Sequence, residues 1–295
     1  MEVLSSCPVC GYSSFRSFLK CKDYFLSNNE FTIQCCEKCG MRFTNPRPDS
    51  SEALKYYDSN EYISHNAKKS DLIHIIYRQI RNVSIRRKYD LLKKYSIGNN
   101  LLDIGCGTGE FIAYCSTKGF TATGIEPSEN ARKYANDTLH QDVKPESFFD
   151  EIIPASFDII TLWHVLEHIH DLNGRMDKIM TLLKPSGTLI IALPNSDSWD
   201  ATHYQNFWAA YDVPRHLYHF TPETFIKLTK NHRFNVKEIL PLKFDAYYIS
   251  LISEKYKTGH ENYFQAFING VRSNRHANRR NKNYSSLMYI LKRAD

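Results

Sequence analysis

The sequence contains no run of about 18 consecutive apolar residues, the minimum for a membrane-spanning helix. Its opening, Met1-Glu-Val-Leu-Ser-Ser-Cys7, has neither a basic n-region nor an apolar h-region, so no secretory signal is read and a cytoplasmic chain is expected. There is no low-complexity tract and no internal repeat beyond one short cysteine element. A net charge of +6 over 295 residues does not demand a polyanionic partner, and no dense basic and aromatic platform compensates, so there is no strong nucleic-acid signal. At 42% hydrophobic and 24% charged, the chain is expected to be globular, with one sizeable core and an appended module.

Cysteine is present in an informative pattern. Four of the eight fall in Cys7-Pro-Val-Cys10-Gly11 and Cys36-Glu-Lys-Cys39-Gly40, the same element twice with 25 residues between Cys10 and Cys36. Two such knuckles offer four thiolates to one tetrahedral Zn²⁺, with glycine relieving each turn. A four-sulfur site has no open coordination position, so Cys7, Cys10, Cys36 and Cys39 are read as a structural metal site. Cys35 would break the x-x spacing, and Cys21 reads as a bystander. Phe15–Leu19 and Glu30–Gln34 suit short strands of a zinc ribbon over residues 1–48, ended by Thr44-Asn-Pro-Arg-Pro48. Residues 49–95 then read as a helical cover. It starts near Ser50 with Ser51 as a cap, and continues over 68–95 with a basic stripe whose plainest reading is a solvated face.

The chain is organised around Leu101-Leu-Asp-Ile-Gly-Cys-Gly-Thr-Gly-Glu110. A short strand, a glycine turn and a helix in that order make a nucleotide-type ligand the first hypothesis. Glu126 closes the next strand, Thr121–Ile125, 21 residues after Gly105, and can accept from both ribose hydroxyls. A dinucleotide fingerprint would need glycine at Glu110. The run Asp103-x-Gly105-x-Gly107-x-Gly109 instead resembles motif I of class I S-adenosylmethionine (SAM) dependent methyltransferases. Phe157-Asp-Ile-Ile-Thr-Leu-Trp-His-Val-Leu-Glu-His168 resembles the fourth strand and following loop of that family.

The resemblance implies an α/β fold: a Rossmann-like seven-stranded methyltransferase sheet with the N-terminal zinc ribbon added. The SAM-binding core is expected over 96–241, with a helical insertion and a final antiparallel strand over 242–295. It implies cofactor contacts at Asp103, Gly105, Gly107, Gly109, Glu126, Trp163 and His164. His164, Glu167 and His168 admit three readings. His164 lines the cofactor pocket; or the set resembles the metal site of quinone O-methyltransferases, with His164 in an acidic position; or Glu167 and His168 brace a helix with His164 and His168 on one face.

Asn195–Phe220 is too rich in aromatics and histidines for a plain connection and reads as an acceptor pocket, with Tyr56, Tyr57 and Tyr62 also expected there. Its stretch Asp212-Val-Pro-Arg-His-Leu-Tyr-His-Phe220 resembles small-molecule methyltransferases of sugar and natural-product pathways. A more distant resemblance, to the Glu-His-x-x-Tyr-Phe region of zinc-ribbon-bearing sugar C-methyltransferases, implies His216 as the first general base, with His164 and His219 in reserve, and puts Arg215 in place of the glutamate, as a residue for an anionic acceptor group. The function expected is methylation of a small hydroxylated acceptor such as a sugar or sugar nucleotide, at oxygen. The alternatives are an RNA or protein methyltransferase that docks its substrate on the ribbon, and a non-catalytic SAM-fold binding protein. The insertion, with an aromatic helix and a basic end at Arg272–Lys282, leaves peripheral membrane contact and a homo-oligomer open.

Overall fold

A computed structural model describes residues 1–57, 71–280 and 282–294, with backbone alone over 71–80. The ribbon comprises β1 (Phe15–Lys22), β2 (Glu30–Cys36) and β3 (Arg42–Thr44), all antiparallel. After it, α1 (Ser50–Ala53) is capped by Asp49 and not by Ser51, because the Asp49 carboxylate accepts from the N–H groups of both Ser51 and Glu52. The long cover helix is α2 (Asp71–Tyr95). Tyr62 and the expected start of that helix at Lys68 lie outside the described residues.

The core alternates strand and helix: β4 (Asn100–Ile104), α3 (Glu110–Ser116), β5 (Thr121–Ile125), α4 (Glu129–Lys133), β6 (Asp142–Lys144), β7 (Phe157–Trp163), α5 (Leu172–Leu182) and β8 (Leu183–Pro194). Then come α6 (Trp199–Tyr204), β9 (Tyr218–His219), α7 (Pro222–Asn231), β10 (Phe234–Pro241), α8 (Asp245–Thr258), α9 (Tyr263–Arg279) and β11 (Ser286–Arg293). Seven strands form one sheet in the order β10-β11-β8-β7-β4-β5-β6. All run parallel except β11, which is antiparallel to both neighbours. Strand order reverses at β4, and ligands of open α/β sheets bind beyond the strand ends at such a point.

Both faces of the sheet are buried, as the apolar runs of β7 and β8 require. Leu101, Ile159 and Ile190 share one face with Leu92 and Ile112. Their neighbours Leu102, Ile160 and Ile191 share the other with Met176, Ile179 and Phe225. The second layer also takes in Val9, Met41 and Phe43 of the ribbon. The ribbon is therefore part of the main core. Backbone pairing joins them as well, since β3 pairs with β9 through Arg42↔His219 and Phe43↔Tyr218.

Two local expectations change. Lys184-Pro-Ser-Gly187, whose composition suits a turn ahead of a strand, bulges within β8: Leu183 pairs with Phe157 while Thr188 pairs with Ile159. Leu166–His168 is a single 3₁₀ turn, so His164 and His168 do not share an α-helical face. Helix α7 starts on a capping box formed by Thr221 and Thr224, with Pro222 in its first turn.

Candidate active site

The glycine turn after β4 lies at the strand-order reversal, and its three glycines serve different needs. All have positive φ, at 70° for Gly105, 56° for Gly107 and 80° for Gly109. A Cβ on Gly105 would fall 2.4 Å from Val165 Cγ2, and one on Gly109 would fall 2.9 Å from Ala135 Cβ, so these two permit close packing. A Cβ on Gly107 would meet nothing within 4 Å, so this glycine presents bare backbone to an open face. Glu126 fixes the turn: Oε2 accepts from Gly107 N–H and Oε1 from Ser128 N–H, each at 2.9 Å. Each oxygen keeps a lone pair for a further donor.

Asp103 lies beneath the turn, 1% exposed, accepting from Thr161 Oγ1 at 2.5 Å. Burial raises its carboxyl to about 7, against the Thr161 hydrogen bond and the Lys88 charge. Trp163 ends β7 with its indole N–H buried and without a hydrogen-bond partner among the described residues. Its ring packs edge-on to Phe111, and the Lys88 ammonium sits 4.5 Å from its centroid. Sequence reasoning placed Lys88 on a solvated stripe; a helical repeat carries no sign that one cation of that stripe turns inward.

Beyond β7 the histidines separate. His164 adopts a positive φ of 58°, with Nε2 3.0 Å from Asp245 Oδ2 and Nδ1 3.6 Å from Glu167 Oε1. Partial burial opposes the charged ring, yet the two carboxylates raise it to about 10. His164 is therefore an imidazolium at neutral pH. Asp245, on α8, was missed in the sequence because only the fold brings it to His164.

His168 and His216 meet edge to face, with ring centroids 4.5 Å apart. His216 Nδ1 lies 2.9 Å from the Ala210 carbonyl, and His168 Nδ1 lies 3.0 Å from the Arg215 carbonyl and 2.9 Å from Tyr57 Oη. A carbonyl only accepts, so both Nδ1 atoms carry protons and both Nε2 atoms keep lone pairs in the neutral rings. Burial holds His168 down at about 4. Asp212 Oδ2 lies 3.9 Å from His216 Nε2. Glu167 is fully buried, and neither carboxylate oxygen accepts a hydrogen bond among the described residues.

His219 stands apart from that pair. Its Nε2 meets Thr44 Oγ1 at 3.0 Å, Thr44 donates to the His216 carbonyl at 2.8 Å, and burial holds the ring well below its usual range. Arg215 is committed to the protein: its guanidinium forks onto Asp212, donates to the Tyr56 carbonyl at 3.1 Å and covers Phe25 at 3.9 Å. The expectation that it binds an anionic acceptor group is therefore replaced by a bracing role.

The four knuckle sulfurs converge, with Cys7 and Cys39 Sγ at 3.5 Å and Cys10 and Cys36 Sγ at 3.6 Å. All four lie within 4.8 Å of one another. A tetrahedral zinc with Zn–S of about 2.3 Å needs sulfurs about 3.8 Å apart, so the set fits the ion. Gly11 and Gly40, with φ of 70° and 76°, close the two turns onto the carbonyls of Cys7 and Cys36.

Residues 76–239, more than half of the chain, match the family described as Methyltransferase domain. The chain belongs to this methyltransferase family. Its relatives include the ubiquinone biosynthesis O-methyltransferases of Paracidovorax citrulli, 31% identical over 34% of this chain and 46% of that protein, and of Actinobacillus pleuropneumoniae, 34% identical over 33% and 47%. This methyltransferase thus spans about half the length of the curated relatives it matches. Two solved structures share the fold: a SAM-dependent methyltransferase from Archaeoglobus fulgidus (TM-score 0.51, 18% identity, 76% of this chain and 100% of that one) and a geranyl diphosphate C-methyltransferase from Streptomyces coelicolor A3(2) (0.52, 14%, 83% and 88%). SAM is the cofactor expected for this family and fold. The bare backbone at Gly107, the spare acceptor capacity of Glu126 and the orphaned Trp163 indole fit it.

Proposed function

We propose that this chain transfers the SAM methyl group to a hydroxyl oxygen of a small acceptor, with His216 as the general base. The observation that carries the reading is the tautomer of His216: its Nδ1 proton is held by the Ala210 carbonyl, leaving Nε2 free to take a proton. His164 is already protonated between Asp245 and Glu167, and His219 Nε2 faces Thr44. Bound SAM supplies an electrophilic methyl on a sulfonium, and the acceptor oxygen must lie in line with that bond. A neutral hydroxyl is a weak nucleophile, so proton removal as attack proceeds lowers the barrier. Asp212, braced by Arg215, stabilises the imidazolium that forms.

In this reading Glu126 holds the ribose, the Gly105–Gly109 backbone borders the methionine portion, and Asp103 faces the amino group. The names of the relatives support oxygen as the acceptor atom. Within small hydroxylated molecules, Asp212–Phe220 leans toward a sugar or sugar nucleotide. The commitment of Arg215 to Asp212 removes one reason for a nucleotide, and the relatives' names make a quinone-like phenol the second class.

A second reading concerns a divalent ion. One ligand atom from each of Glu167, His168 and His216 lies within 4.8 Å of the others, and among the described residues the carboxylate accepts no hydrogen bond, with His164 Nδ1 3.6 Å from Oε1. Backbone carbonyls that fix both imidazoles are the usual outer shell of histidine ligands. In that reading His216 is a ligand and not the base.

The test is turnover on panels of phenols, sugars and sugar nucleotides, read as S-adenosylhomocysteine and methylated product, with and without Mg²⁺, Mn²⁺ or Zn²⁺. Metal-independent turnover lost in His216→Gln supports the base; turnover that requires added Mg²⁺ or Mn²⁺ while the ribbon keeps its zinc supports the metal. Methylation of RNA or protein alone by a SAM-binding protein would refute the small-acceptor reading.

A further inference from the structure

The α8–α9 hairpin is amphipathic in the reverse sense. The face of α9 packed onto the molecule is small or polar: Ala266, Asn269, Gly270, Ser273 and Ala277 are all buried. Gly270 lets the helices approach closely, since a Cβ there would lie 3.0 Å from the Tyr247 Cα. The large apolar side chains point outward, with Phe264 75%, Phe267 62% and Val271 39% exposed. Positions 264, 267 and 271 share one helical face, and Arg275 and Arg279, both exposed, continue it toward the C-terminus. Exposed aromatics clustered on one face mark an interaction surface, whereas single ones do not.

We propose that this face docks on an anionic lipid bilayer. Charge decides between occupants. From Asn262 to Ala294 the sequence contains no Asp or Glu, while Arg272, Arg275, Arg279, Arg280 and Lys282 cluster around the end of α9. An isologous contact pairs this face with itself, and residues 262–294 offer the arginines no carboxylate there. A bilayer of acidic lipids accepts both parts of the face: phenylalanines enter the headgroup and acyl boundary, and arginines meet phosphates. The helix lies on such a surface and does not cross it, since no helix among the described residues is long and apolar enough to span. The hairpin also carries Asp245, the partner of His164.

The proposal is independent of methyl transfer and is tested by sedimentation with vesicles of phosphatidylcholine, with and without phosphatidylglycerol. The full chain is expected to bind the acidic vesicles, and to be released by salt. Phe264→Ser with Phe267→Ser should lower vesicle partitioning about tenfold or more, as should joint replacement of Arg272, Arg275 and Arg279 by Gln. A Phe267→Trp reporter should shift its emission to the blue on acidic vesicles alone. Calorimetric SAM binding should stay unchanged in the serine pair, which shows that it folds. Equal binding to neutral and acidic vesicles, or a serine pair that binds like the wild type, would overturn the proposal. So would a concentration-dependent dimer that the serine pair abolishes, which assigns the face to a second copy.

Discussion

The two sides of the candidate site are built by different means. On the cofactor side, Gly105 to Glu126 are close in sequence, and a backbone turn with one carboxylate makes the arrangement. On the acceptor side short contacts such as His216 to Ala210 are joined by long-range ones: Thr44 to the His216 carbonyl spans 172 residues, Arg47 to Tyr218 spans 171, and Tyr57 to His168 spans 111. The first side is a local motif, while the second exists only when ribbon, loop and insertion are assembled. Damage to one should therefore leave a recognisable remainder of the other.

The largest effect is expected from the ribbon. Zinc held by four cysteines contributes on the order of 10 kcal/mol of binding free energy to folding. Cys36→Ser or chelation should therefore release the metal, lower the melting temperature sharply and abolish turnover, because β3 pairs with the strand that follows His216. Zinc content, thermal melts and turnover on one sample check this. Loss of zinc with no loss of stability would separate the ribbon from the core.

Next comes His216→Gln, which should reduce kcat by about 10²- to 10⁴-fold, the range for a general base. Its SAM affinity should match the wild type. Glu126→Ala reverses the pattern, weakening SAM by about 1–3 kcal/mol as a charged hydrogen-bond partner is lost, with zinc content unchanged.

The smallest effect is in pH. Burial raises Asp103 to about 7, above the usual carboxylate range, so the folded state favours the neutral acid. Ionisation then costs stability: the contribution of Asp103 is most favourable below about 4 and is lost as pH rises to about 7. A SAM ammonium facing the carboxylate favours the ionised form, so SAM should bind more tightly at pH 8 than at pH 6, with proton release at the lower pH. Calorimetry in buffers of different ionisation enthalpy checks the release, and Asp103→Asn should remove it.

The same contrast sets what the sequence makes legible. The glycine run, the acidic end of β5 and the cysteine knuckles are patterns whose partners lie within a few residues or at fixed spacing, and the seven-stranded sheet is the one implied by the family that the glycine run resembles. His164 shows where that stops. Its position at the end of β7 is readable, but its charge is set by Asp245, 81 positions away on an insertion with no motif. Arg215 failed likewise: its commitment depends on Tyr56 and Phe25, which no spacing links to it. Small residues within α9 signal close packing, yet only the fold shows which face they take.

The most direct measurement is calorimetric titration of SAM into zinc-loaded wild type, His216→Gln and Glu126→Ala in parallel. The account predicts equal binding by the first two and binding weakened about tenfold or more in the third. A folded, zinc-loaded wild type that binds no SAM, or a Glu126→Ala variant that binds as well as the wild type, would contradict it.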